Sequence, residues 1–184
     1  MDSLKGHFLV ASPHLMDPNF EHTVVLLLQH GEQGAFGVVL NRPTDSTIEQ
    51  LWSEVGEGPC HDQRPVRLGG PVSGPLMALH TDNSLSEMEV LPGLHFAAQR
   101  ENLEELVGRH EQSYRLFVGH SGWGEGQLER ELDEGSWLTV PATLDGVFYD
   151  EDGDLWKQVA HRIGESILTS ALKIKDVPPD LSAN

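Results

Sequence analysis

Short, densely apolar runs alternate along the chain with punctuating turns. Residues 7–11 (His-Phe-Leu-Val-Ala) read as a first short strand. Turn chemistry follows at Ser12-Pro13 and Asp17-Pro18-Asn19, where proline fixes φ and short polar side chains satisfy the turning backbone. Residues 23–29 are dominated by Val and Leu, the composition of a strand buried on both faces. Gly31-Glu32-Gln33-Gly34 turns the chain into a second apolar run at 35–40, and the two runs are predicted to form a hairpin. Ser46 and Glu49 have capping-box spacing, and Ile48, Leu51, Trp52 and Val55 follow at i, i+3, i+4 and i+7, one face of a helix that Gly56 and Gly58-Pro59 end.

Strands are predicted at 64–68 and 76–80 around the Gly69-Gly70-Pro71 turn. A helix is predicted at 97–109, with Phe96, Leu103, Leu106 and Val107 turned inward, then a strand at 114–118. Residues 119–126 read as a glycine-rich loop leading into a short helix, with Leu128 and Leu132 on one face and Gly135 as its stop. Strands at 137–140 and 147–149 come next. Asp154 then caps a helix whose inner stripe is Leu155, Trp156, Val159, Ala160 and Ile163, and Gly164 separates it from a last helical segment at 167–174. Residues 176–184, with Pro178-Pro179, form a tail expected to be flexible. No repeat or linker interrupts residues 1–175, so they are expected to form a single compact domain. Short turns between neighbouring strands favour a mixed or antiparallel sheet in an α/β (α+β-like) architecture over pure βαβ winding.

Leu, Ile, Val and Phe number 50 of the 184 residues, enough for a packed core. Net charge changes the functional picture more. Twelve Lys and Arg against 29 Asp and Glu leave −17, with no basic stripe. Such a surface repels phosphate backbones and anionic lipid, so neither direct nucleic-acid binding nor membrane binding is expected. No apolar run reaches signal-peptide or membrane-span length, which makes the expected location cytoplasmic. A single cysteine, Cys60, excludes a disulfide framework and any multi-cysteine metal site.

Candidate chemistry is sparse. Gly119-His120-Ser121 after a strand resembles a hydrolase nucleophile elbow, with Asp145 or Asp150 and His161 following in triad order. The glycine expected two residues after the serine is replaced by Trp123. Gly122, Gly124 and Gly126 could cradle a phosphate before a helix, but the P-loop lysine is missing and Glu125 and Glu129 flank the loop. Asp150, Asp152 and Asp154 alternate as in a calcium loop, yet Leu155 stands where glycine is needed and His161 where the bidentate glutamate belongs. The ten histidines show no zinc spacing. Neither a metal nor a cofactor is expected.

Four ordered segments resemble one family. They are Ala11-Ser12-Pro13 with Asp17-Pro18-Asn19-Phe20 and the strand from Thr23; Gly34-Ala35-Phe36-Gly37-Val38-Val39-Leu40-Asn41-Arg42-Pro43; Gly69-Gly70-Pro71-Val72; and Gly122-Trp123-Gly124-Glu125-Gly126-Gln127-Leu128-Glu129. Together with Trp137 and Leu155-Trp156, they are similar to the YqgE/AlgH family of uncharacterised bacterial proteins. The resemblance implies one α/β domain with a mixed, barrel-like sheet and helices packed outside, and no established enzymatic activity. The name of one branch also implies a link to transcriptional regulation. Where the family has Gly-Tyr-Ala-Gly-Trp, this chain has Gly119-His120-Ser121-Gly122-Trp123, so the serine departs from the family pattern. The expected role is therefore a binding or regulatory module, with a serine hydrolase using Ser121 as the alternative. Asn41, Arg42, Gly69, Gly70, Gly122, Trp123 and Gln127 are expected to converge on a cleft: a guanidinium for an anion, glycines for close backbone approach, an indole wall and an amide. The expected occupant is a protein partner or a small anionic ligand.

Overall fold

The computed structural model describes residues 2–109, 113–150 and 152–173. In chain order the elements are β1 (His7–Ala11), β2 (Val24–Gly31), β3 (Gly34–Val39), β4 (Pro43–Thr47), α1 (Ile48–Val55), β5 (Pro65–Leu68), β6 (Met77–His80), β7 (Met88–Leu91), β8 (Leu94–Ala97) and α2 (Arg100–Gly108). They continue with β9 (Tyr114–Val118), β10 (Ser121–Trp123), α3 (Gln127–Asp133), β11 (Trp137–Pro141), α4 (Leu144–Val147) and α5 (Asp152–Lys173). One sheet has the antiparallel order β10-β3-β2-β1-β11, and the other has the order β4-β5-β9-β6-β8-β7. In the second sheet β5 and β9 pair in parallel. The architecture is thus mixed α+β in one compact domain. Neither sheet closes on itself, so the barrel-like expectation becomes two sheets packed together.

The core explains this layering. Leu26, Leu28, Val38 and Leu40 from the first sheet meet Met77, Leu79, Leu94 and Phe117 from the second, and Leu155, Val159 and Ile163 of α5 join them. On its other face the first sheet packs Leu9, Val25, Leu27 and Val39 with Trp123, Leu128 and Trp137. With both faces covered, β2 shows no alternation over Val24–Leu28, as its unbroken apolar sequence predicts. The outer face of the second sheet is covered by α1 and α2 through Ile48, Trp52, Leu103, Leu106 and Val107. Among the described residues no helix is long and apolar enough to cross a membrane.

Several predicted elements shift, each for a physical reason. The capping box uses Thr47 and Gln50, one residue beyond Ser46 and Glu49, because the helix starts at Ile48: Thr47 Oγ1 accepts from Gln50 N and Gln50 Oε1 accepts from Thr47 N. Phe96 belongs to a β7–β8 hairpin rather than to the following helix, which starts at Arg100. Part of the glycine-rich stretch pairs with β3 as strand β10. Residues 144–147 form a helical turn capped by Thr143, where a strand was expected at 147–149. Gly164 does not divide α5, since one glycine inside a helix costs only about 1 kcal/mol. The tail at 176–184 lies outside the described residues.

One buried pair is chemically unusual. His80 of β6 and His95 of β8 face each other across the ladder, with ring centroids 5.9 Å apart. His80 is fully buried and its ring nitrogens make no hydrogen bond of normal geometry, whereas His95 Nδ1 lies 2.9 Å from Ser86 Oγ. Burial first, then neighbouring His95, pushes the His80 imidazole below its ordinary value of 6.5, against weaker pulls from Asp82 and Glu87. The unfolded chain therefore binds a proton that the folded chain refuses, and stability falls as pH drops through about 6.5. Urea midpoints should decline between about pH 7.5 and 5.5 in the wild type, and decline less in His80→Leu. Equal pH slopes for the two proteins would exclude His80 as the source.

Candidate functional site

The expected site residues are best followed from the 12–23 loop, which leaves β1 and returns to β2. An Asp17 turn builds it: Asn19 N donates to Asp17 Oδ1 at 2.8 Å, and Phe20 N and Glu21 N donate to Asp17 O at 2.9 and 2.7 Å. His22 then adopts φ +54°, the one non-glycine residue with positive φ among the described residues. A conformation of this kind costs about 1–3 kcal/mol and persists only when its surroundings hold it. Asn41 and Arg42 supply that hold. Asn41 accepts from Val24 N and donates to His22 O, both at 2.9 Å, and Arg42 Nη2 donates to Glu21 O at 2.7 Å.

The inner side of the loop rests on aromatic rings. Phe20 stacks on Trp123 at 6.0 Å and meets Trp137 edge-on at 5.4 Å. The His22 ring stands edge-on to Trp156 at 4.5 Å, and Trp156 Nε1 donates to Ala11 O at 2.8 Å. Trp123 and Trp137 both donate their indole N–H to Glu131 Oε2, at 2.9 and 2.8 Å, while Gln127 Nε2 donates to Glu131 Oε1 at 2.9 Å. Gln127 Oε1 in turn accepts from Gly124 N at 3.1 Å. One carboxylate thus serves three buried or half-buried donors. Glu131 was not singled out from the sequence, and Phe20 entered only as part of the Asp17-Pro18-Asn19-Phe20 motif; for Glu131 the i, i+4 spacing from Gln127 on α3 was the available signal.

Gly69 and Gly70 occupy a corner where the two sheets meet. Gly69 O accepts from Val39 N at 2.8 Å and from Ser121 Oγ at 3.1 Å, and Gly69 N donates to Val118 O at 2.9 Å. A Cβ on Gly69 would lie 2.3 Å from Gly119 O. A Cβ on Gly70 would lie 2.3 Å from both His120 O and Ser121 Oγ. Next to this corner Val72 and His120 form an isolated antiparallel bridge. A hollow of about 360 Å³ opens here, lined among the described residues by Leu68, Gly70 to Gly74, Val118 and Gly119, none of them charged. Leu68 and Val72 are 46% and 44% exposed at its rim.

The seven expected residues therefore fall along one connected band. Arg42 reaches the loop that carries Phe20, Phe20 reaches Trp123, and Leu68 N donates to Arg42 O at 2.8 Å beside Gly69. Gly122 lies exposed on β10 with open space at its Cβ position. The side-chain contacts of Asn41, Arg42, Trp123 and Gln127 described above are with protein groups, and only Gly70 of the seven lines the hollow.

The residues that suggested catalysis are engaged in other contacts or face solvent. Ser121 is fully buried with its hydroxyl proton directed to Gly69 O. His161 projects from α5 with a side chain 73% exposed, 3.6 Å from Glu165. Asp150 pairs with Arg115 at 3.0 Å and Asp154 with Lys157 at 3.5 Å. Cys60 is buried. A further pairing escaped sequence reasoning. His30 Nδ1 accepts from Leu4 N at 2.9 Å, so Nε2 carries the proton and faces Glu129 Oε1 at 2.9 Å. The backbone amide of Glu129 first, and His30 second, hold that carboxyl below its ordinary range.

The model of a family described as AlgH-like matches residues 8–168. The chain belongs to the AlgH-like family. A UPF0301 protein of Chlorobaculum tepidum is 36% identical to it over 159 residues, covering 83% of each chain. Another, from Thioalkalivibrio sulfidiphilus, is 38% identical over 166 residues, covering 86% of this chain and 89% of the relative. The solution structure of the AlgH protein from Pseudomonas aeruginosa superimposes with a TM-score of 0.74 at 32% identity, covering 91% of this chain and 93% of that one. A crystal structure from Corynebacterium diphtheriae gives 0.71 at 26% identity, covering 88% of each. In this AlgH-like chain the four sequence segments that carried the resemblance are the ones that build the loop, the tryptophan cluster and the glycine corner.

Two substitution series test the reading of this band. Asn41→Ala strands the half-buried Val24 N–H and leaves the exposed His22 C=O to water; it should cost about 1–3 kcal/mol in urea unfolding, with Asn41→Asp intermediate, and a loss below about 0.5 kcal/mol would contradict the bracing role. Gly70→Ala should destabilise by about 2–4 kcal/mol through backbone displacement, whereas Gly122→Ala should stay within about 0.5 kcal/mol. Equal effects at the two glycines would contradict the corner geometry.

Proposed function

We propose that the protein is a non-catalytic binding module that docks an extended, uncharged apolar segment of a cytoplasmic protein partner in the hollow beside Leu68 and Val72. The observation that carries this reading is the pairing of two exposed aliphatic side chains with a concavity containing Gly70, Gly74 and Gly119. Glycines let a partner backbone approach closely, and apolar rim residues reward burial by roughly 25 cal/mol per Å² removed from water. Among the described residues no charged side chain lines the hollow, so an uncharged segment enters without dehydrating an ion. The net charge of −17 supports a protein occupant over nucleic acid. Asn41, Arg42, Trp123 and Gln127 contribute by fixing the frame around the hollow. A regulatory role follows if the partner's activity changes on docking.

A photoreactive amino acid placed at Val72 in living cells tests this. The expected result is a discrete protein adduct that disappears in a Leu68→Asp background of unchanged thermal stability. The same label at Leu138, an exposed strand residue 37% accessible, should give no such adduct. Identical adducts from both positions, or none from Val72, would overturn the reading.

A further inference from the structure

A second concavity lies between the two sheets. It measures about 580 Å³ and takes Gln29 and Phe36 from the first sheet, Met88 and Phe96 from the second, and Glu87 and Gln99 beside them. Within each sheet the contributing residues are direct cross-strand partners: Gln29 opposite Phe36, and Met88 opposite Phe96. Phe36, Met88 and Phe96 are half-buried and continue the inter-sheet core outward. Phe36, Met88 and Phe96 give it apolar walls and Gln29, Gln99 and Glu87 a polar rim, a mixed lining at the edge of the inter-sheet core that suits a small molecule.

The backbone shows that Gln29 is placed there by a specific device. The register of β2 against β3 slips between Leu27 and Gln29, so that Leu27 pairs with Gly37 but Gln29 pairs with Phe36. This bulge turns Gln29 onto the face of Phe36, where strict alternation would have put it on the face of Leu27. Bulges re-aim side chains in this way, and here the outcome is an amide beside an aromatic ring. Gln29 Nε2 has only the weak acceptor Met88 Sδ, at 3.9 Å.

The lining also selects for charge. Among the described residues it holds no cation, and its one carboxylate is Glu87, whose Oε1 already accepts from Ala98 N, Gln99 N and Asn102 Nδ2 at 2.8–3.0 Å. An anion entering here would meet a carboxylate on an acidic protein. We infer that this mouth binds an uncharged, flat aromatic molecule carrying an amide-like donor–acceptor edge. The ring lies between Phe36 and Phe96, and the Gln29 and Gln99 amides read the edge. The His120 ring, 4.9 Å from that of Phe36, backs the first wall.

Nicotinamide and nicotinate make a matched pair of probes, the same ring with a neutral amide or a carboxylate. Titration followed by amide NMR should shift residues around 29, 36, 88 and 96 with nicotinamide. Nicotinate should bind at least about tenfold more weakly, a difference of roughly 1.4 kcal/mol. Gln29→Leu keeps the volume and removes the amide; it should weaken nicotinamide about tenfold while leaving the melting temperature within a few degrees. Equal affinity for the two probes, unchanged affinity in Gln29→Leu, or shifts absent from these residues at about 10 mM nicotinamide would each overturn the inference.

Discussion

Both sheets depend on a backbone crossing that leaves no room for side chains. Val39, Gly69, Val118 and Ser121 are tied through the two polar groups of Gly69, and a Cβ on Gly69 or Gly70 would sit 2.3 Å from a neighbouring carbonyl oxygen. Interiors pack too densely for a displacement of that size to be absorbed locally. The crossing passes β3 toward β4 and β9 toward β10, so the same two chain segments contribute to both sheets. Fixing it fixes the angle at which the inter-sheet core closes, and hence the shape of the hollow at Leu68 and of the mouth at Phe36. The local chemistry of one glycine pair reaches the whole fold by this route.

Polar residues that look functional in the sequence act here as struts. Arg42 could hold an anion, but its Nη2 donates to the Glu21 carbonyl. Ser121 could be a nucleophile, but a buried hydroxyl donating to a backbone carbonyl has neither a base nor access to substrate. Glu131 could be a general acid or base, but it accepts from two indoles and an amide. The Ser121 and Glu131 arrangements satisfy buried or half-buried polar groups that would otherwise cost about 1–3 kcal/mol apiece, while the exposed Arg42 bond braces the loop. In these residues the polar chemistry is consumed in rigidity.

How much of this the sequence disclosed depends on the range of the interaction that decides each element. The β2–β3 hairpin was legible because eight consecutive residues of β2 and six of β3 flank a two-residue turn, all local information. Helix α1 was legible from its 3.6 periodicity, and its cap was misplaced by one residue because Ser46 and Thr47 compete with equally good partners at Glu49 and Gln50. The β7–β8 hairpin was missed because Leu94-His95-Phe96-Ala97 runs straight into helix-forming sequence, and the Met88–Phe96 pairing that makes it a strand is a cross-strand contact. The residues of the band were legible as motifs, but their roles were not. Asn41 acts on a carbonyl 19 residues away and Trp123 on Phe20, distances at which no spacing rule operates. The register slip in β2 left no trace in composition at all.

Charge links these findings to function. A guanidinium near a glycine turn suggested an anionic ligand when only the residue types were known. In three dimensions Arg42 is braced against Glu21 O, His22 needs its neighbours to stay in a strained conformation, and 29 carboxylates surround a chain with only 12 Lys and Arg. An incoming anion would have to displace a structural hydrogen bond and work against the field of the whole surface. Concavities whose lining offers no free charge carry neither cost. Among the described residues the hollow beside Leu68 has no charged lining residue, and the mouth at Phe36 has one carboxylate already engaged by three donors. On a surface this acidic, burying apolar area costs least where no free charge has to leave water, and that condition singles out the concavities rather than the Arg42 turn.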